Sequence, residues 1–403
     1  MHKPAHEYFH TYLEFLQAHE LYPDIRTVTD ASSVPRVMIN GEKYLNFCSN
    51  NYLGLARNEE IERVMIAGVE KYGIGSGSTR LLSGTLDIQA ALERGLAEFF
   101  GYEDAITFSS GFLANVGVIR MLVDPFPYFS VVPEREGVIL TDELNHASVI
   151  DGVRLSHAER VVYKHNDMED LERLLEARRN TRKLVITDGV FSMDGELANL
   201  GTIADLATKH DALLMVDDSH GVGVLGPNGM GTAAHLNVND RVDVLMGSFT
   251  KAFGSIGGFI TTTKAISDYL RVTARSYIFS DPIVPSIASS LMKTIEIVRD
   301  SAERRTAVLD RAAQLRSGLR DAGFTVLGEL TPIVPLLIGS EEKAIRLART
   351  LYEQHIFAPC IRPPAVTPGK ERIRFSVMAT HVKEDIDELL NACRKIGAQE
   401  GLV

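Results

Sequence analysis

The sequence predicts an α/β fold: a large domain with a mostly parallel seven-stranded sheet, followed by a smaller α/β domain at the C-terminus. Two observations favour it. Short apolar segments alternate with segments of helical periodicity, and most of the apolar segments lack the polar–apolar alternation of a half-buried strand. Helices are therefore expected on both faces of the sheet. The predicted strands are 105–108, 137–140, 160–164, 184–189, 213–218, 244–249 and 258–263.

The remaining elements are predicted from periodicity and turn residues. At the N-terminus we expect an amphipathic helix over 7–20 and a hairpin over 36–47, with Asn40-Gly41 as its turn. The long helical stretch 283–322 is expected to break. Further predicted helices are 57–72, 87–100, 168–179, 202–210, 341–355 and 383–395, and further predicted strands are 325–328, 331–338 and 372–377. The expected domains are an N-terminal arm of residues 1–55, a large domain of 56–285, and a linking helix with a small domain at 286–403.

The composition is that of an ordinary globular protein, with 45% hydrophobic and 24% charged residues among 403. The formal net charge of −11 argues against broad binding of nucleic acid or of an anionic membrane surface. No apolar stretch approaches the ~20 residues that span a bilayer. The three cysteines have no paired spacing and no apolar signal segment opens the chain, so we expect a cytoplasmic protein without a disulfide or zinc framework.

Chemically active residue types follow the predicted strands, where ligands bind in open α/β sheets. Lys251 follows the strand 244–249, with small and hydroxyl-bearing residues around it. Taken alone, Lys251 could be an ordinary solvated lysine, since most lysines are exposed. Asp217 ends another strand. A lysine and an acid on one sheet edge suggest a lysine that holds pyridoxal phosphate (PLP), with the acid keeping the pyridine nitrogen protonated.

Two histidines also follow predicted strands. His146 is either a loop histidine making one hydrogen bond or an imidazole stacked over a flat cofactor ring, where it can also bond a substrate. His220 comes directly after the acid pair and could reach a ring oxygen. Metal binding by Asp218 and His220 is a weaker alternative, because no further His or Cys cluster completes a ligand set.

An anion site and a carboxylate site are also predicted. The strand 105–108 leads through Ser110 and Gly111 into a helix, whose free N–H groups and dipole suit a phosphate; Ser110 could equally be only an N-cap. Arg372 and Arg374 alternate in a strand and point to the same face. That face is either solvated or directed at a cleft, where an arginine can hold a carboxylate with two bonds.

These residues together resemble the α-oxoamine synthase family of fold-type I PLP enzymes, over about residues 25–396. The motifs that carry the resemblance are SNNYLGL at 49–55, SGT at 83–85, SGF at 110–112, NHAS at 145–148, VFSMDG at 190–195, DDSHG at 217–221 and TK at 250–251. The resemblance implies the fold of a PLP-dependent transferase of fold type I. It also implies a homodimer with active sites at the subunit interface.

The resemblance assigns the catalytic and ring-binding roles to residues of these motifs. PLP would be covalently attached to Lys251, with His146 stacked on its ring. Asp217 would pair with the pyridine nitrogen and His220 with the phenolic oxygen. Ser192 would lie near the ring on its phenolic side.

The resemblance also assigns phosphate and substrate contacts. The amides of Gly111 and Phe112, with Ser248, would hold the phosphate. A hydroxyl from the partner subunit would reach the same phosphate, and Ser280 matches it. Asn50 and Arg374 would lie near the carboxylate of the amino acid, Arg374 being preferred to its neighbour two residues earlier.

The implied reaction is a decarboxylative Claisen condensation of glycine, alanine or serine with an acyl-CoA, which gives an α-amino ketone, CoA and CO2. Another fold-type I enzyme, such as an aminotransferase or a decarboxylase, and a non-catalytic partner subunit are the alternatives. Two departures from the family stand out: Ser219 replaces a common alanine, and Gln89 stands where members often have histidine, which could bear on acyl selection.

Overall fold

The computed structural model describes residues 4–19, 21–22, 25–124 and 136–403; expectations about the remaining residues lie outside this part. The helices are α1 (Pro4–Ala18), α2 (Glu59–Tyr72), α3 (Asp87–Phe100), α4 (Gly111–Val123), α5 (Ala147–Arg154), α6 (Met168–Glu176), α7 (Leu200–Lys209), α8 (Thr232–His235), α9 (Lys264–Thr273), α10 (Arg275–Ile278), α11 (Pro285–Asp300), α12 (Ala302–Asp321), α13 (Glu341–Glu353) and α14 (Lys383–Glu400). The strands are β1 (Arg36–Ile39), β2 (Glu42–Asn46), β3 (Asp104–Phe108), β4 (Gly137–Asp142), β5 (Glu159–Tyr163), β6 (Arg182–Asp188), β7 (Ala212–Asp217), β8 (Val244–Ser248), β9 (Gly258–Thr262), β10 (Ile333–Leu337), β11 (Ile356–Phe357), β12 (Cys360–Ile361) and β13 (Arg372–Ser376).

The main sheet has seven strands in the order β3-β9-β8-β7-β6-β4-β5. Strands β8, β7, β6, β4 and β5 are parallel neighbours, whereas β9 runs antiparallel to both β8 and β3. The prediction of a mostly parallel seven-stranded sheet is confirmed. Because two antiparallel steps restore the direction, the carboxyl end of β3 lies at the same edge as those of the five parallel strands.

Helices cover both faces of this sheet, as the apolar strand sequences indicate. Along β6, Leu184 and Ile186 join a core cluster with residues of α4, α5 and α9. Val185, between them, joins the cluster on the other face with residues of α3, α6, α7 and α11. Successive side chains of a strand point to opposite faces, so an unbroken apolar run is what a strand between two cores requires.

The C-terminal part contains a second, antiparallel sheet in the order β10-β13-β12, packed with α12, α13 and α14. The predicted break in 283–322 occurs at Ser301, between α11 and α12. The predicted strand 325–328 is wrong: only Val326 forms a bridge, to Leu336, and Gly328 turns the chain at φ 65°. The domain boundaries stay predictions.

The predicted N-terminal hairpin is present, and both residues of its turn, Asn40 and Gly41, have positive φ values of 51° and 82°. Strand β11 pairs in parallel with β2 and makes a third sheet, which ties the N-terminal arm to the C-terminal part. This two-residue strand was not predicted, because it is too short to carry a pattern.

Candidate active site

The carboxyl edge of the main sheet gathers most of the residues singled out in the sequence. Strand β7 ends at Asp217 and β8 ends at Ser248. Helix α4 begins at Gly111, shortly after β3, and His146 after β4 is the N-cap of α5. These positions follow from the parallel pairing of the strands, which places their carboxyl ends side by side.

Asp217 is a buried carboxylate held by hydrogen-bond donors. Asn115 Nδ2 donates to Oδ2 at 2.7 Å, while the hydroxyl of Ser219 at 2.6 Å and its backbone N–H at 3.1 Å donate to Oδ1. Within the described residues Asp217 makes no ion pair. A buried anion without a cation is costly unless a ligand supplies one, and a pyridinium nitrogen is such a cation.

His146 is exposed and lies in a hydrogen-bonded loop. Its Nδ1 lies 2.7 Å from the hydroxyl of Ser148 and accepts the Ser148 backbone N–H at 3.2 Å. The His146 backbone N–H donates to Asp188 at 3.3 Å. The side chain of Asn145, which accepts from Asp188 N at 2.8 Å, fixes the same loop to β6. Burial, and then the charge of Asp217, raises the pKa of Asp188 well above its usual range.

His220 pairs with a tyrosine from the N-terminal arm. The hydroxyl of Tyr52 lies 2.7 Å from His220 Nδ1 and 3.2 Å from Asn50 Oδ1. Burial lowers the pKa of His220 well below its usual value, and the charges of Lys251 and Arg374 act in the same direction. His220 is therefore a neutral imidazole with one nitrogen already bonded and Nε2 left for another partner.

The two arginines of β13 have different partners. Arg372 forms an ion pair with Asp194 at 2.5 Å, which ties β13 to the loop after β6. Arg374 donates to the carbonyl of Ser192, to Asn50 Oδ1 at 3.3 Å and to Ser376 at 2.7 Å. No carboxylate within the described residues pairs with Arg374. The structure thus leaves Arg374, rather than Arg372, with charge available for a ligand.

Lys251 follows β8 and is half-buried, with no ion pair among the described residues. Burial lowers the pKa of Lys251, the charge of Arg374 lowers it further, and the charge of Asp217 opposes both. A lowered pKa gives the amine more of its neutral, nucleophilic form. These features argue against a fully solvated lysine, and the role of Lys251 stays a prediction.

The anion site lies where α4 begins. Ser110 is an N-cap, since its hydroxyl accepts the N–H of Leu113 at 3.1 Å, and this leaves the amides of Gly111 and Phe112 without partners among the described residues. Gly258 of β9 lies against this turn: a Cβ on Gly258 would come within 2.5 Å of Gly111 Cα. The close approach also places Ser248 beside Gly111, because Gly258 pairs with Ser248 in the sheet.

Two residues that were singled out in the sequence, Asp218 and Gln89, form hydrogen bonds with other parts of the chain. Asp218 accepts hydrogen bonds from the backbone N–H (2.6 Å) and the hydroxyl (2.5 Å) of Thr232, so its carboxylate stabilises the loop that leads into α8. Gln89 is completely buried, and its amide donates to Ile283 O at 2.8 Å. Gln89 therefore anchors α3 to the segment before α11.

Sequence reasoning missed three residues of this site. They are Tyr52, Asn115 and Ser148. No sequence pattern predicts a role for these side chains, although Tyr52 lies in the SNNYLGL motif and Ser148 in the NHAS motif. Their partners are distant in the chain, so only the fold reveals them. Conversely, no contact of Ser280 with the phosphate turn occurs within the described single chain.

The described residues fit PLP. Asp217 offers an unpaired buried anion for the pyridine nitrogen, and the free amides of Gly111 and Phe112 offer donors for the phosphate. His146 exposes a ring face, and Lys251 offers an amine of lowered pKa. Among the described residues, no helix has both the length and the apolar composition needed to cross a membrane.

Comparisons with known proteins place this chain among related enzymes. The profile of the family described as aminotransferase class I and II matches residues 42–393. The 8-amino-7-oxononanoate synthase of Petrotoga mobilis is 44% identical over 392 residues, which is 96% of this chain and 97% of that protein. The 8-amino-7-oxononanoate synthase of Thermoanaerobacter pseudethanolicus is 42% identical over 379 residues, covering 94% of this chain and 93% of its own.

Solved structures share the whole architecture. The serine palmitoyltransferase of Sphingomonas wittichii superposes with a TM-score of 0.92 at 29% identity, over 99% of both chains. A high-resolution structure of SPT with a PLP internal aldimine gives a TM-score of 0.93 at 27% identity, over 100% of both chains. These comparisons confirm the fold type and the PLP cofactor. The chain belongs to the α-oxoamine synthase family of fold-type I PLP enzymes, the C-acyltransferases that condense a small α-amino acid with an acyl-CoA and release CoA and CO2.

Proposed function

We propose that this enzyme condenses alanine with a seven-carbon dicarboxylic monothioester to give 8-amino-7-oxononanoate. The supporting observation is full-length identity of 40–44% to relatives that carry this product in their names. The carbon skeleton of the product defines both substrates. Carbons 8 and 9 with the amino group are alanine without its carboxylate, and carbons 1 to 7 are an acyl chain that ends in a free carboxylate (pimeloyl).

Serine with a longer acyl chain is the competing substrate pair, because solved serine palmitoyltransferases share the fold. Their identity to this chain is 27–29%, well below that of the synthases. Substrate choice inside a shared fold depends on side chains, and sequence identity reports side chains more directly than a backbone superposition does. This difference favours alanine.

Lys251 is the proposed anchor for PLP and the base of the reaction. When bound, PLP supplies an electron sink that stabilises negative charge on the α-carbon of the amino acid. Lys251 Nζ would also take the α-proton of the amino acid. The burial and the positive neighbour that lower the pKa of Lys251 favour the neutral amine that both roles need.

Ring-binding roles follow from the directions of the other groups. Asp217 would neutralise the protonated pyridine nitrogen, and His220 would direct Nε2 to the phenolic oxygen while Tyr52 holds Nδ1. His146 would stack its exposed ring on the cofactor. Ser192 would border the phenolic side, where its carbonyl is already fixed by Arg374.

Arg374 and Asn50 are proposed to bind the carboxylate of the amino acid. Their mutual hydrogen bond of 3.3 Å places a cationic group and an amide side by side next to the Tyr52–His220 pair. A guanidinium matches a carboxylate with two parallel bonds. Losing CO2 from that carboxylate later removes the group that Arg374 holds, which favours release of the product.

The phosphate would be held by the Gly111 and Phe112 amides and by Ser248. We also propose a homodimer in which Ser280 of each protomer reaches the phosphate site of its partner. Helix α1 supports this, since none of its residues is buried in the single chain although Tyr8, Phe9 and Tyr12 are among them. The unpaired thiols of Cys48, Cys360 and Cys393 are consistent with work in the reducing cytoplasm.

A substrate panel tests the substrate assignment. Glycine, alanine and serine are each combined with acyl-CoAs of rising length and with a pimeloyl thioester, and free thiol is followed. The highest kcat/KM is expected for alanine with the pimeloyl thioester. A preference for serine with a long unbranched acyl chain would contradict the proposal, and so would equal rates with all three amino acids.

A subunit-mixing experiment tests the shared site. Lys251→Ala and Ser280→Ala chains are mixed after unfolding together and refolding, with each variant refolded alone as the control. If Ser280 serves the partner, half of all dimers are mixed and each mixed dimer contains one site with both lesions and one intact site, so activity should exceed the average of the two variants refolded alone. Activity no higher than the average of the two variants would contradict the shared site, and so would a monomer by sedimentation.

A further inference from the structure

A continuous chain of hydrogen bonds joins Asp217 to the ring of His146. Asn115 Nδ2 lies 2.7 Å from Asp217 Oδ2 and 2.9 Å from the hydroxyl oxygen of Ser148. That hydroxyl lies 2.7 Å from His146 Nδ1. Asn115 is completely buried and Ser148 nearly so, which removes competition from water.

The direction of every bond in this chain is determined by its ends. The amide nitrogen of Asn115 has two hydrogens; one goes to the Asp217 carboxylate and the other to the Ser148 oxygen. The single hydroxyl hydrogen of Ser148 is then directed to His146 Nδ1. The Ser148 backbone N–H also donates to Nδ1, at 3.2 Å. Nδ1 therefore accepts from two donors and carries no proton, so the ring proton lies on Nε2.

A second observation shows that Asn115 is present for its donors. Its carbonyl oxygen Oδ1 is buried without a hydrogen-bond partner among the described residues. An unpaired buried polar atom is unfavourable and calls for an explanation. Turning the amide over would place Oδ1 against the Asp217 carboxylate, so that two acceptors would face each other. The observed orientation instead leaves one acceptor without a partner and keeps both N–H donors hydrogen-bonded.

We propose that Asn115 and Ser148 are positioning residues that hold His146 as its neutral Nε2–H tautomer and thereby make it a directed hydrogen-bond donor above the cofactor ring. This inference rests on the proposed function of His146 and Asp217. A proton on Nδ1 would meet two donors, so the chain opposes the imidazolium form. A neutral ring can stack on a protonated pyridine without repulsion between like charges. Its Nε2–H is then available to an oxygen of the substrate.

The test observes the ring nitrogens of His146 by 15N NMR in PLP-loaded enzyme with labelled histidine; the resonance is assigned by its loss in His146→Gln. The parent should show one protonated and one unprotonated nitrogen, far apart in shift. In Ser148→Ala and in Asn115→Leu the two shifts should move toward each other as the second tautomer becomes populated. Ser219→Ala is the matched control: it removes a donor from the other oxygen of Asp217 and should leave both shifts unchanged.

Kinetics provide a second readout that a merely structural role would not produce. In Ser148→Ala, kcat/KM should fall on the order of 10- to 100-fold, as when a partner that orients a functional histidine is removed. The acid limb of its pH profile should also move to higher pH. Unchanged His146 shifts in both variants would overturn the proposal. A parent enzyme with a fixed tautomer but no turnover of any amino acid would instead overturn the proposed function, so the two failures are distinguishable.

Discussion

The hydroxyl of Tyr52 lies 2.7 Å from Nδ1 of His220, and both side chains are buried. This bond joins the loop after β2, in the N-terminal arm, to the loop after β7 in the main sheet. The same hydroxyl lies 3.2 Å from Asn50 Oδ1. One tyrosine therefore couples the pair proposed to bind the substrate carboxylate to the histidine proposed to face the cofactor.

Replacing Tyr52 with phenylalanine should impair both groups. Because it leaves the buried Nδ1 of His220 unpaired and removes one donor from Asn50 Oδ1, Tyr52→Phe should lower the free energy of unfolding by about 1–3 kcal/mol. It should also shift the pH dependence of the cofactor absorbance and reduce kcat. Tyr102→Phe is the control, since within the described residues the Tyr102 hydroxyl donates to the Asn239 carbonyl and bonds no residue of the site. An equal spectral change in both variants would argue against a specific role for Tyr52.

Substitutions of Arg372 and Arg374, the two arginines of β13, should have different effects on KM for the amino acid. Arg374→Lys should raise KM for the amino acid on the order of tenfold or more, since lysine cannot make the two parallel bonds of a guanidinium. Arg372→Lys should weaken the contact with Asp194 and lower stability, with a smaller effect on KM. Steady-state kinetics and urea unfolding of both variants provide the comparison. A larger rise in KM for Arg372→Lys would reverse the assignment.

The buried ion pair Arg80–Glu93 should be important for the free energy of unfolding, because removing only one of its two partners leaves the other charge buried and unpaired. Its atoms are 2.9 Å apart with side chains 3% and 6% exposed, and Thr107 donates to the same carboxylate. Removing one partner of a buried pair costs about 3–5 kcal/mol, so Glu93→Leu should destabilise strongly in urea unfolding.

The double variant Arg80→Met/Glu93→Leu is compared with Glu93→Leu, because the double variant leaves no unpaired buried charge. It should recover much of the lost stability. The exposed pair Lys264–Asp268 supplies a contrast: Asp268→Asn should change stability far less than Glu93→Leu does. A double variant no more stable than Glu93→Leu would mean that packing, rather than charge, dominates at this position.

His381 should make stability depend on pH. Its Nδ1 accepts Met378 N–H at 2.9 Å, its Nε2 lies 3.0 Å from the Asn46 carbonyl, and burial lowers its pKa to about 4. The unfolded chain therefore binds more protons than the native state between about pH 6.5 and pH 4. The stability contributed by the neutral ring is complete above that window and falls as the pH drops through it, by up to about 1.4 kcal/mol per pH unit.

Urea unfolding of the parent and of His381→Gln across this window measures the contribution. The variant should be less stable at pH 7, yet its stability should fall less steeply than that of the parent between pH 6.5 and 4. Parallel curves for the two proteins would show that other groups account for the acid sensitivity.

Strand-level features could be predicted from the sequence because each is local. Apolar runs such as Leu184–Ile186 mark strands covered on both faces, and the residue after each run falls on the binding edge. Lys251, Asp217 and His146 were found in this way. Choosing between Arg372 and Arg374 needed the family resemblance, because alternation in a strand places both on the same face.

Long-range partners could not be predicted. Asn115 meets Asp217 across 102 positions of sequence, and Tyr52 meets His220 across 168. Neither pairing leaves a periodic or spacing signal in a single chain. The same holds for β11, whose two residues become a strand only because β2 is already there. The wrong prediction of a strand at 325–328 shows the reverse case: the local sequence pattern predicts a strand, but the chain turns at Gly328.

The stoichiometry of CO2 and thiol release tests the central claim most directly. PLP-loaded enzyme is supplied with alanine labelled at its carboxyl carbon and with pimeloyl-CoA, and labelled CO2, free CoA and the amino ketone are counted together. The predicted result is one CO2 and one CoA for each amino ketone, with none of the three formed by Lys251→Ala. Thiol release without CO2, or conversion of alanine to a keto acid without thiol release, would contradict a decarboxylative condensation.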